Sequence, residues 1–135
     1  ALLGRTHCLD GVVIHGDGRG AGLGIPTANI AVSGHAAIPG RGVYAGRVTV
    51  GGATWSAAIN VGMAPTFRDA HDIRVEALLI DYPGDDLYDM RASVTFLEYL
   101  RGEVRFGSAD ALVAQIAKDV ERARVIADGA ADALC

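Results

Sequence analysis

The chain has 135 residues, half of them apolar and 21% charged, with 12 basic against 16 acidic side chains and a net charge of −4. That length suits one domain around one core, and the acidic balance with dispersed arginines leaves no basic stripe for nucleic acid. No apolar run is long enough to suggest a membrane span, and Ala1 to Asp10 lacks the basic and apolar sectors of a secretory signal, so a soluble cytoplasmic protein that binds small molecules is expected.

Residues 1–10 read as a linker or N-terminal extension. Cys8 within it and Cys135 at the other end show no C-x-x-C or Cys/His spacing, and they read as free thiols of a reducing compartment. A first short strand is predicted over Val12–His15. The stretch Gly16 to Asn29 then carries five alternate glycines, Gly16, Gly18, Gly20, Gly22 and Gly24, with Arg19 among them, and runs into Pro26-Thr27-Ala28-Asn29. Alternate glycines let backbone N–H groups approach an anionic ligand closely, which makes this a candidate phosphate cradle. A Gly-rich hairpin loop with no ligand fits the same residues. A Walker A site is excluded, because it needs a lysine at the end of the run and the only lysine is Lys118. A dinucleotide fingerprint would need a helix directly afterwards, whereas Pro26 turns Ile25 toward extended chain.

A second strand is predicted over Thr27–Val32, with Thr27 and Asn29 on one face and Ala28, Ile30 and Val32 on the other. A hydroxyl beside a carboxamide suits a hard cation and phosphate oxygens. Further strands are predicted over Gly42–Val50, Thr54–Val61, Ile73–Tyr82 and Arg91–Phe96, with Gly51-Gly52 as a hairpin turn. In the fifth, Ile73, Val75, Ala77 and Leu79 form one face, so Glu76 shares the other with Arg74, Leu78, Ile80 and Tyr82. A carboxylate among aliphatic neighbours is partly desolvated, which raises its proton affinity and suits a general base acting on an alcohol. Pairing with Arg74 on a solvated face is the alternative. Asn60, Thr66 and Asp86, near strand ends, read as turn or cap residues before ligands.

Six short strands without intervening helices suggest an antiparallel barrel. The C-terminal segment alone is helical: Ser108 is a candidate N-cap, Asp110 lies in the first turn, and Leu112, Ile116, Val120 and Ala123 repeat at helical spacing, widened by Val113 and Ile126. Lys118, Arg122 and Arg124 suit the negative end of the helix dipole, and Gly129 marks the stop. The stripe is expected to pack on the barrel.

Taken together these residues resemble the riboflavin kinase (flavokinase) domain, known as the C-terminal half of bacterial bifunctional riboflavin kinase/FAD synthetases and as a separate enzyme in eukaryotes. The resemblance runs from about Gly11 to Arg124. It rests on Gly24-Ile25-Pro26-Thr27-Ala28-Asn29, Gly42-Val43-Tyr44-Ala45-Gly46, Asn60-Val61-Gly62 with Pro65-Thr66-Phe67, Val75-Glu76, Asp86-Leu87-Tyr88, and Leu100-Arg101 leading to Phe106, Ser108 and Leu112.

The resemblance implies a six-stranded antiparallel Greek-key β-barrel with a C-terminal helix over residues 11–128, followed by a tail over 129–135. It also implies transfer of the γ-phosphate of ATP to the 5′-hydroxyl of riboflavin, giving FMN and ADP. Thr27 and Asn29 would hold Mg²⁺ and ATP phosphates, with the loop from Gly16 to Gly24 and Arg19 over the nucleotide. Glu76 would be the base, Asp86-Leu87-Tyr88 a flap, and Leu100, Arg101, Phe106 and Leu112 the border of the flavin ring. No nucleic acid or membrane partner is implied, and an FMN adenylyltransferase domain is the natural companion, in the same chain or beside it. Two residues depart from the family pattern: Leu78 stands where bacterial members commonly carry histidine, and Asp89 where glycine is usual. A weakly active flavin- or nucleotide-binding sensor module, or a kinase for another small alcohol, are the alternative readings.

Overall fold

The computed structural model describes residues 2–14, 27–32, 40–63, 73–82, 90–102 and 106–129, with the side chains of 2–7, 63 and 73 excepted. The glycine loop from Gly16 to Gly24 with Arg19, the segment Pro65-Thr66-Phe67, the flap residues Asp86 to Asp89, and Cys135 lie outside the described residues. Six strands, β1 (Leu2–Ile14), β2 (Thr27–Val32), β3 (Gly42–Val50), β4 (Ala53–Met63), β5 (Ile73–Leu79) and β6 (Arg91–Arg101), precede one helix, α1 (Ala109–Gly129).

The strands close in the order β1-β2-β5-β4-β3-β6, and every neighbouring pair is antiparallel. The pairs β2–β5 and β3–β6 are not consecutive in sequence, so the connections are of Greek-key type and not a simple meander. The period-2 alternation decides which side chains fill the interior. Val13, Ile30, Val48, Ile59, Val61, Val75, Val94 and Phe96 are buried there, and Tyr44 meets the Phe96 ring edge-on at 5.2 Å. Burying a Val, Ile or Phe side chain contributes about 1.5–3 kcal/mol, so this lining supplies most of the fold's driving force.

A second apolar cluster lies outside the barrel, beneath α1. Val43, Ala45, Ala58, Ile80 and Leu100 of the sheet meet Ala123, with Leu78, Val120 and Ile126 packed at the margin. Val120, Ala123 and Ile126 of the predicted stripe thus pack on the sheet, whereas Leu112 and Ile116 nearer the start of the helix are half-buried and Val113 is 44% exposed. Ser108 caps the helix as expected, its Oγ accepting from the Ala111 N–H at 3.1 Å. The other end differs from the sequence reading: the last turn of α1 contains no basic residue. Buried Arg47 of β3 instead donates from Nη2 to the carbonyl of Ala127, while Arg122 reaches the Leu100 carbonyl and Arg124 pairs with Asp81 at 2.5 Å. That hydrogen bond holds the Asp81 carboxyl below its usual range, in the turn that ends β5, where Asp81 adopts φ 63°.

Three boundaries depart from the sequence pattern. β1 begins at Leu2, so the strand takes in residues 2–10, read above as a linker or extension, of which Leu2 and His7 to Asp10 pair with β6. Gly4 and Asp10 are poor strand formers and a register shift falls between Leu2 and His7, which together hide the strand. β5 ends at Leu79, three residues before the predicted Tyr82, at the Asp81 turn. β6 runs on to Arg101, past the predicted end at Phe96, and two extra residues relative to β3, Leu97 and Leu100, interrupt its alternation there. The predicted hairpin is present: Val50 pairs with Ala53 across Gly51-Gly52, both at positive φ.

The cysteine reading is corrected. Cys8 is disulfide-bonded and no described cysteine is free, so the cysteines give no support to a reducing compartment. A disulfide depends on spatial proximity of two Cα atoms, which separation along the sequence does not report. Among the described residues no helix is long and apolar enough to cross a membrane.

At the Leu97 bulge Gly46 leaves no room for a side chain: a Cβ there would fall on the backbone oxygen of Thr95 and against Ile59 Cδ1. Gly46→Ala is expected to destabilise the protein by about 1–3 kcal/mol, the usual cost of overpacking. Urea denaturation checks this; an unchanged midpoint would show that the strands have room to separate.

Candidate functional site

Register builds the site. Asn29 of β2 is the cross-strand partner of Glu76 on β5, and Glu76 is in turn the partner of Asn60 on β4. Asn60 faces Val43 on β3, and Val43 faces Arg101 on β6. Directly paired residues share a face, so Asn29, Glu76, Asn60, Val43 and Arg101 form one row across five strands. Their neighbours Ile30, Val75 and Val61 fill the interior, which puts the row on the outside of the barrel. At about 4.8 Å per strand, Asn29 and Asn60 lie about 10 Å apart, and Glu76 and Arg101 about 14 Å. The adjacent row on the same face is Thr27, Leu78, Ala58 and Ala45, whose last three residues belong to the cluster beneath α1. A polar row thus runs along the border of a helix-covered apolar patch.

The polar row is incompletely paired. Among the described residues, Oδ1 of Asn29 and Oδ1 of Asn60 are the buried side-chain oxygens without a hydrogen-bond partner. Leaving a buried acceptor unpaired costs about 1–3 kcal/mol, a penalty that a bound donor or cation removes. Asn29 is buried, Thr27 beside it is half-buried, and both offer hard oxygen atoms. No described group of three or more His, Cys, Asp or Glu is placed to hold a metal. A cation here would therefore rest on a hydroxyl and an amide oxygen, with the remaining positions left to phosphate and water, the pattern that suits Mg²⁺. Glu76 sits half-buried between the two asparagines. Leu78, the departure from the histidine expected there, takes a place in the apolar cluster under α1.

Arg101 and Phe106, two of the four residues that the resemblance assigns to the flavin border, meet at the other end of the row. Arg101 grips Asp119 of α1 with Nε and Nη2, at 2.7 Å for the shortest contact, and donates from Nη1 to the Gly102 carbonyl. Its guanidinium lies 5.9 Å from the centroid of the half-buried Phe106 ring. Leu112 is half-buried on α1, and Leu100 is buried beneath the helix. The extra residue in β6 turns both Leu100 and Arg101 toward α1, as a bulge re-aims side chains.

Two contributors escaped the sequence reading. Asn60, taken for a turn or cap residue, lies within β4. Asp119, buried and also held by Gln115 Nε2 at 3.0 Å, stands within the apolar stripe, three residues after Ile116 and four before Ala123. A carboxylate inside such a stripe signals a buried partner, so that signal was present in the sequence. Asn60 carried a weaker one: it stands opposite Glu76 only once the register is known.

Comparison with known proteins supplies an independent view. The Flavokinase family model, described as riboflavin kinase, matches residues 3–127. A bifunctional riboflavin kinase/FMN adenylyltransferase from Pseudomonas fluorescens is 40% identical over 126 residues, covering 93% of this chain and 40% of the relative. Among solved structures, a protein from Streptococcus pneumoniae named as a macrolide-efflux protein superposes with a TM-score of 0.79 at 32% identity, over 87% of this chain and 38% of that one. Riboflavin kinase from Trypanosoma brucei superposes with a TM-score of 0.67 at 23% identity, over 95% of this chain and 82% of that one, a likeness of fold. The chain spans 39–40% of the length of the curated relatives it matches.

The Arg101–Asp119 pair is the polar tie between helix and barrel at this end of the row. Removing one partner of a buried pair strands the other charge, so Asp119→Ala is expected to cost about 3–5 kcal/mol. Equilibrium unfolding in urea measures it, and a loss under 1 kcal/mol would mean that water replaces the carboxylate without penalty.

Proposed function

The chain belongs to the riboflavin kinase family, and from that premise we propose that it transfers the γ-phosphoryl group of ATP to the 5′-hydroxyl of riboflavin, giving FMN and ADP. The observation that carries the proposal is the row from Asn29 through Glu76 to Arg101. It sets an oxygen-donor pair at one end, a carboxylate beside it, and an aromatic-cation pair about 14 Å beyond. An acceptor with a reactive hydroxyl at one end and a flat ring at the other spans such a row.

In this reading the phosphates of ATP lie at Thr27 and Asn29, with the loop from Gly16 to Gly24 and Arg19 above them. Thr27 and Asn29 would also hold Mg²⁺, which when bound supplies charge neutralisation on the phosphate oxygens. Leu100, Arg101, Phe106 and Leu112 border the flavin: Phe106 offers a ring face, and Leu100 and Leu112 support it from the helix side. Glu76 takes the proton from the 5′-hydroxyl as that oxygen bonds to the γ-phosphorus; the bond to the bridging oxygen breaks, ADP leaves, and the proton passes from Glu76 to solvent. Phosphoryl transfer is mostly positioning and charge neutralisation, so a site with one base and few charged side chains suffices. With Leu78 in place of histidine, Glu76 works without a polar group at the position two residues after it in its strand. Adenylyl transfer to FMN, the second activity in the relatives' names, belongs in this proposal to a separate domain, joined to this one or acting beside it.

Glu76→Gln keeps the size and removes the base. It is expected to lower FMN formation about a hundredfold or more while leaving thermal stability close to wild type. Chromatography of flavins after incubation with riboflavin and MgATP measures this; undiminished turnover would remove Glu76 as the base. Flavin bound without turnover by the wild-type chain would point instead to a binding module.

The same assay carries a second expectation. The barrel and its single helix take up nearly all of the described residues, and the family match already spans 3–127. Product from this 135-residue chain with excess MgATP should therefore stop at FMN, and supplied FMN should stay unadenylylated. Sustained FAD formation would require a second nucleotide site within the same residues.

A further inference from the structure

Asn60 has no part in the reaction as written, yet its Oδ1 is buried without a partner beside the base. An amide oxygen only accepts hydrogen bonds, so a donor or a cation must complete it. A cation shared with Asn29 does not fit. Mg²⁺ holds its oxygens at about 2.0–2.1 Å, which requires the two Oδ1 atoms within about 4 Å of one another. The two residues are separated by two strand spacings, about 10 Å, with Glu76 between them, and side chains on the outside of a closed barrel diverge. Ionised Glu76 cannot complete Asn60 either, because a carboxylate is also an acceptor.

The remaining source is the acceptor substrate. From Glu76 the substrate extends away from the phosphate end, toward Arg101, and Asn60 is the first residue it crosses. Beyond it Val43 is apolar and 6% exposed, and offers no further polar atom. Resting on the reading of riboflavin as acceptor, we propose that Asn60 Oδ1 accepts a hydrogen bond from the secondary hydroxyl next to the hydroxyl being phosphorylated. Asn60 is then a specificity residue: it makes the site select a polyol chain over a simple primary alcohol, because only the polyol satisfies an oxygen that otherwise stays buried and unpaired.

The test compares the wild-type chain with Asn60→Ala and Asn60→Ser, using riboflavin and 4′-deoxyriboflavin as acceptors at saturating MgATP. Asn60→Ala is expected to lower kcat/KM for riboflavin about tenfold to a hundredfold, to weaken riboflavin binding measured by flavin fluorescence quenching without nucleotide, and to leave KM for MgATP unchanged. With 4′-deoxyriboflavin, wild type and variant should agree within about threefold, since the hydroxyl and its acceptor form one interaction. Asn60→Ser, whose shorter side chain withdraws the acceptor from reach, provides the same comparison if Asn60→Ala does not fold. Equal losses on both acceptors, an unchanged kcat/KM for riboflavin, or a rise in KM for MgATP would each overturn the assignment of Asn60. A wild-type chain that makes no FMN would instead overturn the kinase reading on which it rests.

Discussion

Cross-strand register is the constraint from which the site, the helix contact and the interior all follow. Side chains of a strand alternate between faces, so sliding β5 by one residue against β2 and β4 would send Val75 and Ala77 outward and carry Glu76 inward. Burying that carboxylate without a partner among Ile30, Ile59 and Phe96 would cost several kcal/mol, on top of the apolar burial lost. The interior therefore fixes the exterior. Valine and isoleucine packing inside the barrel holds Asn29, Glu76 and Asn60 in one line on its outer face.

The outside of the barrel is then divided by α1. Its small residues Ala123 and Ala127 let the helix lie close to β3 and β4, and Val43, Ala45 and Ala58 keep the sheet surface low beneath it. Polar ties fasten its middle and its C-terminal end: Arg101 to Asp119 at the first, Arg47 to the Ala127 carbonyl at the second. The second tie does what a basic residue in the last helical turn would do, since it brings positive charge to unpaired carbonyls from the sheet side. Because α1 covers the row of Leu78, Ala58 and Ala45, the row of Glu76 and Asn60 becomes the edge of the covered patch. A ligand can lie along that edge with one side on the helix and the other on polar side chains.

Much of this arrangement was legible in the residues, and what was not has physical causes. Runs of β-branched and aromatic residues bounded by glycine, proline and aspartate clusters located β2 and β3, and period-2 alternation separated the two faces of β5, which put Glu76 on one face with Leu78. Gly51-Gly52 and the Ser108 cap were readable because turns and caps demand particular residues at particular places. Signals that depend on a distant partner were missed. The length of β6 was hidden by the extra residues Leu97 and Leu100, and the first part of β1 by Gly4, Asp10 and a register shift. Asn60 looked like a strand-end polar residue, because its meaning lies in Glu76 sixteen positions later. The role of the glycine loop rests on its glycine spacing and the family resemblance, and that of the flap on the resemblance alone.

The departure at Leu78 shows how strongly neighbouring rows depend on one another. The strand position two residues after Glu76 faces Thr27 on one side and Ala58 on the other, so its side chain lies between Thr27 and the helix-covered patch. A polar side chain there would have to find a partner under α1 or point out beside Thr27. Leucine instead joins Val120 and Ile126 and extends the apolar cluster to the edge of the row. This sharpens the boundary between packed and polar surface, and it leaves Asn29 and Asn60 as the polar residues directly flanking Glu76. The carboxylate is thus flanked across the strands by two amides, and the strand that carries it is held on the same outer face, two residues along at Leu78, by the helix.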